Sequence, residues 1–561
     1  MTKEASILIG GEAGDGVRNA GGIVGRILSR HGQEVFVLDD YQSLIRGGHN
    51  FVKVRASEEE VSSHYEEVDL VVALNEETIG EHEGELSDSG WILFDSDEFD
   101  FDSDKALPVP ASSMVEEVGG IKIMRNSVLI GVTAYLYDLD IEVVKDVMQK
   151  VYGDKAEKNI ILAEKGFDYA KENEYENIIE VNKTGDSPLP LLTGNEAIAL
   201  GSAKAGLRVY IAYPMTPATS ILHHLAEYED ELDLTVFQPE NEIGVINMAM
   251  GSAYAGARTM VGSSGGGFAL MQETVSLAGL SETPILIIEC QRTGPSTGVP
   301  TYTAQADLEF ALNSGHGEFP MIVLAPGDTE EAFYRTGEAL NLAWKFQVPV
   351  ILLSDKHLSE SRMTTSIDEN EIEIEKGKIA ENPGEDYDRY SITEDGISPM
   401  AFPGDPEAIV KNSSYEHDEF GYTTEKPDEI VAMQEKRLDK LEPIKNEIQS
   451  KNPVKTYGEE DADTAIVAWG STKGAVLDAM KLIEKPIKFV QPIYLKPFPE
   501  EEILEELGNV SKVICAETNA TGQLAKLIRG ETGLNIDEVI LRYDARPFNP
   551  PDLAEEIKEA I

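Results

Sequence analysis

The chain is short of cysteine, short of positive charge and without a long apolar run, and each shortage removes a class of protein. Only Cys290 and Cys515 occur, in no C-x-x-C spacing. They allow at most one disulfide and cannot hold a four-thiolate iron–sulfur cluster, so any such cluster lies on another polypeptide. Lys and Arg number 47 against 102 Asp and Glu, a formal net charge of −55. Binding a phosphate backbone needs clustered Lys and Arg, so a nucleic-acid partner is disfavoured. No apolar run approaches the ~20 residues of a membrane-spanning helix. Met1–Ala5 leads straight into a strand pattern without the apolar core of a signal peptide. These absences together point to a cytoplasmic protein with no membrane partner.

What is present is acid, spread over the whole length, as in Glu58-Glu59-Glu60 and Glu500-Glu501-Glu502. A single acidic tail reads as disorder; an excess distributed over a folding chain reads as a solubilising coat of the kind halophiles use. Such a coat repels itself unless salt screens it, and at 1 M the Debye length is only about 3 Å. We read a salt-adapted protein. Its 561 residues, 41% of them hydrophobic, suffice for several cored domains.

The pattern along the chain predicts an α/β fold of three doubly wound domains. The first, 1–185, opens with the strand Ser6–Ile9, a glycine turn from Gly10 to Gly16 and an amphipathic helix over 17–30, followed by strands at 35–38, 70–74 and 91–94. The polar stretch 171–190 reads as a linker. The second domain, 191–358, alternates helices at 194–206, 219–228, 241–256 and 328–345 with strands at 208–212, 284–289, 321–324 and 348–353. Residues 359–453 form an extended acidic connection with one helix near 428–450. The third domain, 454–561, alternates again.

Several segments stand where chemistry is done in such folds, beyond the carboxyl ends of strands. Tyr213-Pro214-Met215-Thr216-Pro217 follows a predicted strand; its plain reading is a stiff turn with a helix cap. Glu242 heads an unusually apolar, small-residue helix, where a carboxylate ordinarily caps or faces the dipole. Ser264-Gly265-Gly266-Gly267 lets backbone approach a ligand. Arg292 has a planar fork suited to a carboxylate, and Thr301 adds a hydroxyl; a surface ion pair is the plain reading of Arg292. In the first domain Gly11, Gly14 and Gly16 precede a helix, where a phosphate is favoured, although the spacing is not G-x-G-x-x-G. His357 and His417 read as structural.

Taken in order, Gly194-Asn195-Glu196-Ala197-Ile198-Ala199, Tyr213-Pro214-Met215-Thr216-Pro217, Glu242, Ser264-Gly265-Gly266-Gly267-Phe268-Ala269-Leu270-Met271, Gly294-Pro295-Ser296-Thr297-Gly298, Gly396-Ile397-Ser398-Pro399 and Arg546-Pro547-Phe548 resemble the alpha subunit of 2-oxoacid:ferredoxin oxidoreductases. The opening Gly10–Gly16 and Arg46-Gly47-Gly48 resemble that family's gamma subunit, so the whole chain resembles a gamma–alpha fusion. The resemblance implies a gamma-type Rossmann-like domain, a thiamine-diphosphate pyrimidine-binding domain and a transketolase C-terminal-like domain. It implies Glu242 as the catalytic carboxylate on the aminopyrimidine, with Tyr213, Pro214 and Gly266 around the cofactor. Thr216, Arg292 and Thr301 would contact the substrate, and Gly11, Gly14, Gly16 and Arg46 coenzyme A. No metal site is expected here: Gly14-Asp15-Gly16 lacks the later Asn pair of a diphosphate site. Mg2+, the diphosphate end and a [4Fe-4S] cluster are assigned to a beta subunit, with ferredoxin as acceptor, coenzyme A taking the acyl group, and two copies of each chain. Where relatives carry a basic residue after Thr301, Tyr302 stands instead, which leaves one fewer cation for a second carboxylate; pyruvate, 2-oxoglutarate and branched-chain acids stay open, with a lean to 2-oxoglutarate from the overall resemblance. The alternatives are a non-catalytic assembly subunit and, from the first glycine turn with Asp39 and Asp40, a dinucleotide-binding dehydrogenase.

Overall fold

The computed structural model describes residues 4–44, 47–181, 188–384 and 386–561. It divides into two compact units, one of Met1–Thr193 with Glu360–Ser366 and Asn549–Asp552, the other of Gly194–Ser359, Ile367–Phe548 and Leu553–Ile561.

The first unit is built on an eight-stranded sheet in the order Ala106–Val109, Leu86–Asp95, Val68–Ala73, Glu4–Glu12, His49–Ser57, Glu34–Asp40, Arg362–Thr364, Leu191–Thr193. The half from Ala106–Val109 to Glu4–Glu12 is parallel, as expected of a βαβ layer. The other half is antiparallel, which the sequence reading did not expect. The difference comes from His49–Ser57, a strand that alternates apolar residues with Lys53 and Arg55. Those charged side chains are buried, and each is paired: Lys53 with Glu85, Arg55 with Glu4. A charged residue hidden by a remote partner erases the apolar signal by which a buried strand is read. The linker call at 171–190 falls partly on the helix Ala156–Glu172 and partly on 182–187, outside the described residues.

The second unit holds two sheets. Seven strands run Tyr494–Lys496, Ile322–Leu324, Pro349–Asp355, Ile285–Gln291, Thr259–Ser263, Val209–Ala212, Thr235–Phe237, all parallel except the first. Five more run Val454–Gly458, Lys488–Pro492, Thr464–Val467, Lys512–Glu517, Glu538–Leu541. The sequence reading separates these sheets at 454; in the structure they share one apolar core, in which Ile285, Ile287 and Phe268 pack in a cluster with Val467, Trp469 and Leu524. Tyr494–Lys496 even completes the edge of the larger sheet. The helix expected near 428–450 is two, Pro427–Leu438 and Leu441–Gln449, because Pro443 has no amide proton and its ring clashes with the carbonyl four residues earlier.

Candidate active site

Glu242 is the first residue of the helix Glu242–Tyr254, and it does not cap that helix. Asn241 does, accepting from the Gly244 amide at 2.9 Å. The Glu242 carboxylate is therefore left over. It is 4% exposed, and among the described residues its Oε1 has no hydrogen-bond partner. An unsatisfied buried carboxylate oxygen is costly and is retained where a ligand completes it. The glycine turn is fitted to it: a Cβ at Gly267 would lie 2.7 Å from both Cγ and Oε1 of Glu242 and 2.1 Å from the Ser263 hydroxyl. Only glycine brings the turn that close. The Ser264 hydroxyl on the same turn and the Thr301 hydroxyl are also buried and, among the described residues, without a hydrogen-bond partner, and a Cβ at Gly266 would meet nothing within 4 Å.

The other turn carries the substrate-type residues. Asn195, fully buried, donates to the Pro217 carbonyl at 2.8 Å and the Ser220 hydroxyl at 2.7 Å. No side chain caps the helix Thr219–Glu227, so the plain reading of these hydroxyls as a cap does not hold. Arg292 donates to the Thr216 carbonyl at 2.8 Å, which joins the two substrate-type segments, and burial lowers the affinity of its guanidinium for its proton. Tyr213 and Pro214 stand exposed beside them. Arg546 lies 3.9 Å over the ring of Tyr302; a cation thus stands against the position where the sequence departs from the family pattern. Sequence reasoning passed over Asn195, Asn241 and Arg546, although the first and last lie inside quoted motifs. It also passed over Glu289, whose signal was a single acid ending the apolar run Ile285-Leu286-Ile287-Ile288.

The glycine turn of the first unit is a separate matter. Gly16 takes a left-handed φ of 77° at the start of Val17–Arg30. The adjoining Asp15 fills the turn itself: its carboxylate accepts from the Glu12 amide at 3.1 Å and pairs with Arg125 at 3.2 Å. A phosphate there would meet that negative charge. Arg46 lies outside the described residues. Asp39 is held by Arg18 at 2.6 Å and by Arg362 at 3.0 Å, so it is committed to ion pairs where a dinucleotide site would need it for a ribose. His417 is packed edge-on against Tyr390 with ring centroids 3.9 Å apart, and burial drops His357 to about 3. Among the described residues no group of three or more His, Cys, Asp or Glu is placed to hold a metal, and no helix is long and apolar enough to cross a membrane.

These features define an α/β protein with a buried, unsatisfied glutamate at a glycine turn, and the matching families agree. Residues 201–436 match the family described as pyruvate flavodoxin/ferredoxin oxidoreductase, thiamine diphosphate-binding, and residues 6–169 match pyruvate ferredoxin/flavodoxin oxidoreductase. The chain is 32% identical to 2-oxoacid:ferredoxin oxidoreductase 2, subunit alpha, of Aeropyrum pernix, over 100% of this chain and 98% of that one. It is 27% identical to the 2-oxoglutarate oxidoreductase subunit KorA of Mycobacterium tuberculosis, over 95% and 88%. Its fold matches a 2-oxoglutarate:ferredoxin oxidoreductase from Magnetococcus marinus, solved with 2-oxoglutarate, coenzyme A and succinyl-CoA bound, with a TM-score of 0.92 at 31% identity over the full length of both. The chain belongs to the 2-oxoacid:ferredoxin oxidoreductase family, as an alpha subunit.

Proposed function

We propose that this chain is the catalytic alpha subunit of an enzyme that oxidatively decarboxylates a 2-oxo acid with coenzyme A, giving acyl-CoA, CO2 and reduced ferredoxin, with 2-oxoglutarate preferred over pyruvate. The observation that carries the reading is the Glu242 carboxylate, buried, relieved of capping by Asn241 and left with an open oxygen. Thiamine diphosphate, when bound, supplies the electron sink for decarboxylation. The residues present fit its pyrimidine end: the open Oε1 of Glu242 would take a ring hydrogen bond, and the Ser264 hydroxyl and the unfilled face at Gly266 would leave room beside it. The apolar helix strengthens that bond by lowering the local dielectric. Arg292 pairs the substrate carboxylate, and Thr216 and Thr301 orient the acid, an effect of position.

The remaining parts are assigned to partners. A beta subunit carrying the diphosphate and Mg2+ site and a [4Fe-4S] cluster would cover the exposed apolar residues beside Glu242, among them Ile243 at 51% and Leu270 at 52% exposure; the two cysteines, both buried and too few for four thiolate ligands, support placing the cluster there. Two copies of each chain, a cytoplasmic setting and salt adaptation complete the reading, with functional segments at 1–185, 191–358, 359–453 and 454–561. Coenzyme A contact by Gly11, Gly14 and Gly16 has the Asp15 carboxylate against it. The test is Glu242→Gln in the complex reconstituted with the beta subunit, assayed with 2-oxo acids, coenzyme A and a viologen at high salt. Turnover should fall by about a hundredfold or more; unchanged turnover would leave a non-catalytic assembly role.

A further inference from the structure

Behind the glycine turn lies a second buried carboxyl group. Glu289, on the strand Ile285–Gln291, is fully buried, and among the described residues neither of its oxygens has a hydrogen-bond donor. The charges that act on it are those of Asp307 and Asp355, two more carboxylates. Asp355 is already served, by the Ser471 hydroxyl at 2.6 Å, the Leu358 amide at 3.0 Å and the Thr303 hydroxyl at 3.2 Å. Asp307 faces Glu289 carboxyl to carboxyl, and its backbone amide donates to the Gln291 side chain at 3.1 Å. Two facing carboxylates without a cation cannot both ionise in a dry interior. Burial, and then the charge of Asp307, push the Glu289 carboxyl well above the ordinary range.

The pair touches the same turn as Glu242. A Cβ at Gly265 would lie 2.7 Å from Asp307 Oδ2, as one at Gly267 would lie 2.7 Å from Glu242 Oε1. A single residue, Gly266, thus lies between the turn position set against Asp307 and the one set against Glu242. Ser263, the register partner of Glu289 in the neighbouring strand, completes the wall against Gly267. We propose that Glu289 and Asp307 share one proton and act as a positioning pair, bracing the turn Ser264–Gly267 against Glu242 while keeping a single negative charge beside it. The protonated Glu289 donates to Asp307.

The inference rests on the reading of Glu242 for its effect on turnover, but not for the shared proton. The full chain at neutral pH should show the infrared carbonyl stretch of a buried carboxylic acid that persists in D2O and disappears in Glu289→Gln. In the reconstituted complex Glu289→Leu, which strips the donor from Asp307, should lower kcat by about tenfold with KM nearly unchanged, and Glu289→Gln, which keeps a donor, should restore it to within about twofold. The proposal is overturned by a wild-type spectrum without that band, or by Glu289→Leu turning over as fast as Glu289→Gln. Should Glu242→Gln stay active while the band behaves as stated, the reading of Glu242 fails and the shared proton stands.

Discussion

Gly267 and Glu242 are the tightest pair in the site. Adding one methyl at Gly267 must displace the carboxylate, since the Ser263 hydroxyl closes the other side at 2.1 Å. Gly267→Ala should therefore lower kcat about a hundredfold, the scale of a 1 Å misplacement of a reacting group, with circular dichroism unchanged; near-normal turnover would mean that Glu242 need not sit where it does. Arg292 makes the complementary case at the end proposed to hold the substrate. Lysine keeps the charge but not the fork, so Arg292→Lys should raise KM for the 2-oxo acid about tenfold, the worth of one charged hydrogen bond. An equal loss in kcat alone would move Arg292 away from ground-state binding. Arg292, Thr216 and Glu242 were legible as motif residues. Asn241, which frees Glu242, was not legible as anything but its neighbour, because which of two adjacent polar residues caps a helix is settled by backbone angles: Asn241 is extended, with φ −159°.

At the scale of elements, the acidic connection is pinned by charge. Glu282, in the loop before the strand Ile285–Gln291, accepts from Lys436 at 2.7 Å and Lys440 at 2.6 Å, all of them essentially buried, while Arg389 donates to its carbonyl at 2.8 Å. Removing the one carboxylate strands two ammonium groups, so Glu282→Gln should cost about 3–5 kcal/mol in urea unfolding. Burial is the larger influence on Lys440 and drops it to about 7 from the ordinary 10.5. The unfolded chain then binds more protons than the folded one between those values, so this group makes stability rise with pH from about 7 to 10.5, with its full penalty present below 7. Unfolding midpoints at pH 6 and pH 9 should differ less in Lys440→Met than in the wild type. An identical difference in the two proteins would show that Lys440 does not titrate there. None of this cluster was visible as a cluster: Glu282 and Lys440 are remote in sequence, and among 102 acids the few that are buried do not stand out.

For the whole molecule the net charge of −55 dominates. Like charges at this density oppose compaction, and salt relieves them until the Debye length falls below their spacing. The thermal midpoint should climb steeply with KCl from about 0.1 M and level off beyond about 1 M. A midpoint indifferent to KCl would remove the case for salt adaptation.

By itself the sequence determined the alternation of strands and helices, the acidic coat, the shortage of thiols that sends any cluster to a partner, and the motif residues of the site. These are properties of neighbours along the chain, carried by periodicity and composition. The tertiary structure alone decided that the two sheets of the second unit share a core, that half of the first sheet runs antiparallel through a strand with buried Lys53 and Arg55, and that the glycine turn is flanked by Glu242 on one side and by Asp307 with Glu289 on the other. Each depends on a charge or an apolar face meeting a partner far away in sequence, and the free energy of such a meeting belongs to the pair, so neither segment shows it alone.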